Sequence, residues 1–279
     1  MLAAVLALLA SVSWGTSDFV AGVEARRSTA WTAALGGQVV ASLSLVALLL
    51  ATSSASLSPA ALAPAAVGGA VGGFGVVLQY RALALLDMGV VSPIIAGAAL
   101  VPVVWGTIAG ERPGTLQMVG IACALVGIVL ISRRERARAP SPHTRRGILY
   151  AALSATALGL FLVALDLGGR SDPLLTVATA RTAAALTLLI AAASARPAIR
   201  LRARALPALL LIGLLIAAAN LLFTSATTHG DLAVVGVLGW LNPAVTMAWA
   251  VGMLQERLGA LQVLAAVLVF AGVVCITLG

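Results

Sequence analysis

Of 279 residues, 61% are hydrophobic and only 9% charged, more apolar surface than a water-soluble chain of this size could hide in one core. The formal net charge of +8 contains no lysine, and the arginines fall in short gaps between apolar runs, which marks membrane topology and argues against a nucleic-acid partner. At roughly 20 apolar residues per crossing the chain holds about ten helices and no soluble domain, so any function lies within the membrane.

The first apolar run, 2 to 22, has no basic segment before it and carries Asp18 where a leader's apolar core would continue. It therefore reads as a retained helix. A carboxylate at that depth is costly, which makes Asp18 the first candidate for binding or coupling, and Trp14 lies one turn away. The second span, 30 to 51, contains Gln38. The third, 61 to 85, pairs a glycine run (Gly68, Gly69, Gly72, Gly73, Gly75) suited to close helix packing with Gln79 and Tyr80 near its end.

Pro93 and Pro102 interrupt the fourth span, 88 to 109, and are expected to kink it; a fifth runs from 115 to 132. The only long connection, 133 to 146 (RRERARAPSPHTRR), has the composition of a solvated linker. It separates a first unit, 1–132, from a second, 147–279.

The second unit repeats the count, with spans at 147 to 168, 173 to 194, 206 to 228, 231 to 252 and 259 to 278. Asp166 and Arg170 are spaced for an intrahelical pair. Arg181 lies roughly 12 Å below the boundary set by Asp172 and Pro173. At that depth it needs an anionic partner: Asp18, Asp166 or an acidic group of a substrate. Asn220 in the eighth span and Asn242 in the ninth add hydrogen-bonding groups that bridge helices or line a cavity. Pro243 is a third expected kink, and Trp240 adjoins it. Cys123 and Cys275 each sit alone in an apolar run, so neither a disulfide nor a metal site is expected, and no cofactor motif is present.

Shifting the sequence by about 144 residues lays Glu111-Arg112-Pro-Gly-Thr-Leu-Gln117 over Glu256-Arg257-Leu-Gly-Ala-Leu-Gln262, and Asp87 over Asp231. On the same shift Gln38 takes roughly the place of Arg181. Five spans per unit is an odd number, so the second unit crosses in the opposite sense. An inverted repeat of this kind underlies alternating access around a midplane site. Fourteen arginines fall on one face against Arg112 and Arg170 on the other, which places the linker in the cytoplasm and both termini outside.

Trp14-Gly15-Thr-Ser-Asp18-Phe19, Tyr80-x-Ala82-Leu83, Gly110-Glu111-Arg112 and Asn242-Pro243 followed by Glu256-Arg257, in this order, resemble the EamA-type branch of the drug/metabolite transporter superfamily. The resemblance covers all ten spans. It implies an all-α fold of two five-helix repeats, a central cavity formed mainly by the first four helices of each, and export or exchange of small metabolites. It also implies cytoplasmic termini, opposite to the arginine count.

The expected function is therefore secondary transport of a small metabolite or drug-like solute, with export driven by a proton gradient or exchange, in the cytoplasmic membrane, by a monomer or homodimer. The expected partners are the solute, protons and lipid. No Walker loop supports an ATP-driven pump, and neither a zinc pair nor a nucleophile elbow supports a membrane hydrolase. An uncoupled channel or facilitator is the main alternative.

Overall fold

A computed structural model describes residues 1–52, 59–86, 91, 94–132, 144–254 and 259–278. Among these the chain is all helical. The first half contains α1 (Leu2–Arg27), α2 (Ala30–Thr52), α3 (Pro59–Leu85), α4 (Leu100–Ile108) and α5 (Thr115–Ser132). The second contains α6 (Thr144–Gly169), α7 (Pro173–Ala195), α8 (Leu206–Thr227), α9 (Leu232–Gly239), α10 (Asn242–Leu254) and α11 (Ala260–Leu278). Among the described residues, seven helical stretches are long and apolar enough to cross a membrane, counting Leu232–Met253 as one. Ile94–Ile108, Thr115–Leu130 and Val263–Leu278 are shorter apolar helices. Together they occupy the ten expected spans. Leu43, Leu50, Ile108, Ile190 and Phe270 remain exposed, as lipid-facing side chains must.

Local sequence explains the helix boundaries that matter. Asp172 accepts a hydrogen bond from the Leu175 N–H at 2.9 Å, Pro173 follows at the first helical position, and Arg196 ends α7 in the left-handed conformation. The ninth predicted span is two helices: the chain leaves α9 at Trp240 and Leu241 and re-enters a helix at Asn242, with Pro243, which has no N–H to give, in the first turn. At the matching place in the first half, a 3-10 turn over Gly97–Ala99 precedes α4. Pro102 packs within α4 against the backbone of Gly236, while Pro93 lies outside the described residues.

The helix contacts follow an exchange rule. α3 packs on α6 and α7, while its counterpart α8 packs on α1 and α2. α1 meets the broken α9–α10 segment, and α6 meets α4. Three further pairs join corresponding helices directly: α2 with α7, α4 with α9, and α5 with α11. The closest approach is at α3, whose glycines face two neighbours at once. A methyl group at Gly68 would run into the Ala164 side chain, and one at Gly69 into the Ala180 carbonyl. Small polar groups tie other crossings, including Ser154 Oγ donating to the Gly75 carbonyl at 2.8 Å and Thr246 Oγ1 to the Gly15 carbonyl at 3.0 Å.

Candidate functional site

A chamber of about 210 Å³ lies where α1, α2, α3, α6, α7, α8 and the α9–α10 break converge. Trp14, Asp18, Gln38, Gln79, Arg181, Trp240 and Asn242 all line it, so seven of the nine predicted site residues share one chamber although they come from both halves of the chain. Tyr80 and Asn220 are not on the lining. Tyr80 stacks on Trp31 with ring centroids 5.4 Å apart, and its hydroxyl reaches the Ala30 carbonyl at 3.4 Å. Asn220 is fully buried behind the lining and accepts a hydrogen bond from Arg181.

Arg181 is 7% exposed. Its Nη1 donates to Gln38 Oε1 at 3.2 Å and its Nη2 to Asn220 Oδ1 at 2.7 Å. The guanidinium carbon stands 4.4 Å from the centroid of the Phe161 ring, a geometry that adds cation–π attraction of about 0.5–2 kcal/mol. All three neighbours are neutral. Among the described residues the one ion pair is Arg170 with Asp166, at 2.9 Å, as their spacing predicts. Asp166 is thus committed elsewhere, and Asp18 makes no ion pair with Arg181. The Arg181 Nε–H is buried without an acceptor.

Asp18 is exposed to the chamber, and its Oδ2 accepts from Asn242 Nδ2 at 2.7 Å. Because a carboxylate can only accept, that bond fixes the Asn242 amide and leaves its Oδ1 buried without a donor. Asn242 begins α10, directly after the helix break, so the break delivers a side chain to the chamber as well as a bend. Trp14 contacts Phe223 and Trp240, with centroid separations of 5.6 and 6.4 Å, and builds an aromatic wall beside the two charges. Trp249 lies apart, stacked on Phe19 and donating to Thr16 Oγ1.

Sequence reasoning missed one contact. Phe161 carries no polar signal, and only the α6–α7 packing shows that it covers Arg181. Glu111 stands at a helix end, where its two carboxylate oxygens accept from the Leu232 and Ala233 N–H groups at 2.8 and 2.9 Å, capping α9 from the other half of the chain. Gly110, at φ +96°, makes the reversal that presents it. Of the sequence echoes, Glu256, Arg257 and Asp87 lie outside the described residues. Removing the cap in Glu111→Ala should cost about 1–2 kcal/mol, seen as a lower melting temperature of the purified protein, with Glu111→Gln retaining part of the loss because its amide oxygen still accepts one N–H. Equal melting of Glu111→Ala and the parent would exclude the capping role.

A larger open hollow of about 600 Å³ lies at the end of the bundle, between Glu111, Arg170 and Asp231. Two of its charges are already used, Glu111 in the cap and Arg170 in its ion pair, so the smaller chamber is the stronger site.

Comparison with known proteins settles the family. The model of the EamA-like transporter family matches residues 1–133 and again 145–278. The chain belongs to the EamA-like transporter family. The double match makes the two-repeat architecture a property of the family and not only of two short sequence echoes. A solved crystal structure is similar over 99% of this chain and 96% of that chain, with a TM-score of 0.84 and 20% identity, which establishes the shared fold. No curated protein matches. This EamA-like chain is thus a multi-pass membrane protein of a family of small-solute transporters.

Proposed function

We propose that the chain is a secondary transporter that exports a small metabolite or drug-like solute across the cytoplasmic membrane by alternating access, driven by a proton gradient or by exchange. One observation carries this reading: two oppositely charged side chains, neither with an ionic partner among the described residues, face a single chamber at the meeting of the two halves. Charges at membrane depth are retained where a solute or ion uses them. Arg181 supplies the anchor for an acidic group, and Asp18 the site for a cation or proton.

The exchange rule among helix contacts fits two inverted repeats of five helices, 1–132 and 147–279, joined by a cytoplasmic linker over 133–146. Such a pair offers two equivalent packings, one open to each face. The interruptions at 240–241 and 97–99 give each half a place to bend. Because both halves of one chain complete the chamber, a single copy suffices.

The test is counterflow of labelled solutes in proteoliposomes. The expected result is saturable, gradient-sensitive accumulation that falls about tenfold to a hundredfold in Asp18→Asn, the equivalent of one charge-assisted hydrogen bond. Conductance without saturation would replace the carrier by a channel, and conversion of the solute into product would make it an enzyme.

A further inference from the structure

The connection from α7 to α8 is held at the bilayer surface, because the membrane-crossing stretch Pro173–Ala195 ends just before it and Ala203–Thr227 begins just after. Arg196 turns the chain out of α7 through its left-handed conformation, and residues 196–202 run without helix to the 3-10 turn at Ala203–Ala205. Along Arg196-Pro-Ala-Ile-Arg200-Leu-Arg202-Ala-Arg204, arginines alternate with apolar residues. All four arginines are exposed, as are Ile199 at 45% and Leu201 at 69%. Two hydrogen bonds pin the segment down: Thr29 Oγ1 donates to the Ala198 carbonyl and the Arg200 N–H donates to Thr32 Oγ1, each at 2.9 Å. Both threonines belong to the α1–α2 corner, which sets the exposed Arg26 and Arg27 at the end of α1 alongside. Among the described residues the one acidic side chain at this end, Glu24, is buried, and none of these arginines has an ionic partner.

We infer that residues 196–204, with Arg26 and Arg27 beside them, form a docking strap for the headgroups of anionic phospholipids. The guanidiniums grip the phosphates in the two-pronged geometry that arginine offers and lysine does not. Ile199 and Leu201 enter the upper acyl region, while the arginine stems stay apolar and their heads stay at the headgroup level. Charge complementarity selects this partner, since exposed cations without counterions face a surface that can supply them. A soluble acidic partner would match the arginines and leave the interleaved apolar side chains in water. The two pins fix the strap before any lipid arrives, so little ordering remains to be done on binding. This surface is separate from the chamber and depends only on the chain lying in a membrane.

The experiment titrates the purified full chain in detergent with 1-palmitoyl-2-oleoyl-phosphatidylglycerol or the matching phosphatidylcholine, counting bound lipid by native mass spectrometry and following the melting temperature. The parent should bind phosphatidylglycerol about tenfold more tightly than phosphatidylcholine and melt higher in its presence. Combining Arg200→Gln, Arg202→Gln and Arg204→Gln should lower phosphatidylglycerol affinity about a hundredfold, about fivefold per arginine, and leave phosphatidylcholine binding unchanged. Arg112→Gln, at an exposed site on the opposite end, should keep the parent's preference. Leu201→Ser should weaken both lipids severalfold, and free glycerol phosphate should not displace either. Should the triple variant fail to fold, Arg202→Gln alone decides by its expected fivefold loss. Equal affinity of the parent for the two lipids, or a triple variant that keeps the preference, would overturn the inference. Displacement of the lipid by glycerol phosphate at matching concentration would do so as well, making the strap a soluble-anion site.

Discussion

Arg181→Met is expected to abolish solute-dependent counterflow while shifting the melting temperature by no more than a few degrees. Two effects oppose each other in the folded protein. The substitution strands Gln38 Oε1 and Asn220 Oδ1, each bonded to the guanidinium in the parent, at about 1–3 kcal/mol apiece. It also removes a charge that costs about 2.5–3.5 kcal/mol at the centre of a membrane helix and that no acidic side chain among the described residues offsets. These nearly cancel, and at this size about 1 kcal/mol moves the melting temperature by about 2–4 °C. Function has no such compensation, because the methionine offers nothing to an acidic group. Flux in proteoliposomes and thermal unfolding in detergent, measured on the same preparation, check both halves of the expectation. Retained counterflow would remove Arg181 from the site, and a collapse of stability would make it a structural strut.

Gly69→Val should have the largest effect on stability. The added branch meets the Ala180 carbonyl, which is backbone and cannot rotate away as a side chain can. On the next ridge Gly68 is already closed against Ala164, so α3 cannot back off from α7 without losing α6. Overpacking of a tight core costs about 1–3 kcal/mol, and a site pinned on two sides belongs at or above the upper end. Ala180 is also the residue before Arg181, so a displaced α7 carries the guanidinium with it. Lower folded yield, earlier melting and loss of binding are expected together, and normal melting would mean the α3–α7 crossing is looser than it stands in the structure.

Depth along a helix can be read from sequence, and azimuth around it cannot. Counting from Asp172 and Pro173 placed Arg181 well inside the membrane, and the break after Trp240 followed from Pro243. The repeat even paired Gln38 with Arg181, and the two now touch across 143 residues of sequence. What the counting lacked was direction. In a helix that is apolar on every side there is no polar face to show which way a residue points. Tyr80 therefore looked equivalent to Gln79 yet stacks away from the chamber on Trp31, and Asn220 looked like lining yet holds Arg181 from behind. Phe161 and the Glu111 cap depend on partners from other helices, with Leu232 lying 121 residues from Glu111, a relation that local spacing does not carry.

The pairing of α5 with α11 has a use of its own. Neither contributes a residue to the chamber, and α11 packs extensively on α5 alone among the described helices. The two lock through Gly120, Gly127 and Gly272, each in tight contact with the opposite helix. Whatever the inner helices do as a solute passes, this outer pair can ride as a stationary rail, and a reporter at exposed Phe270 would supply the fixed origin from which their excursions are surveyed.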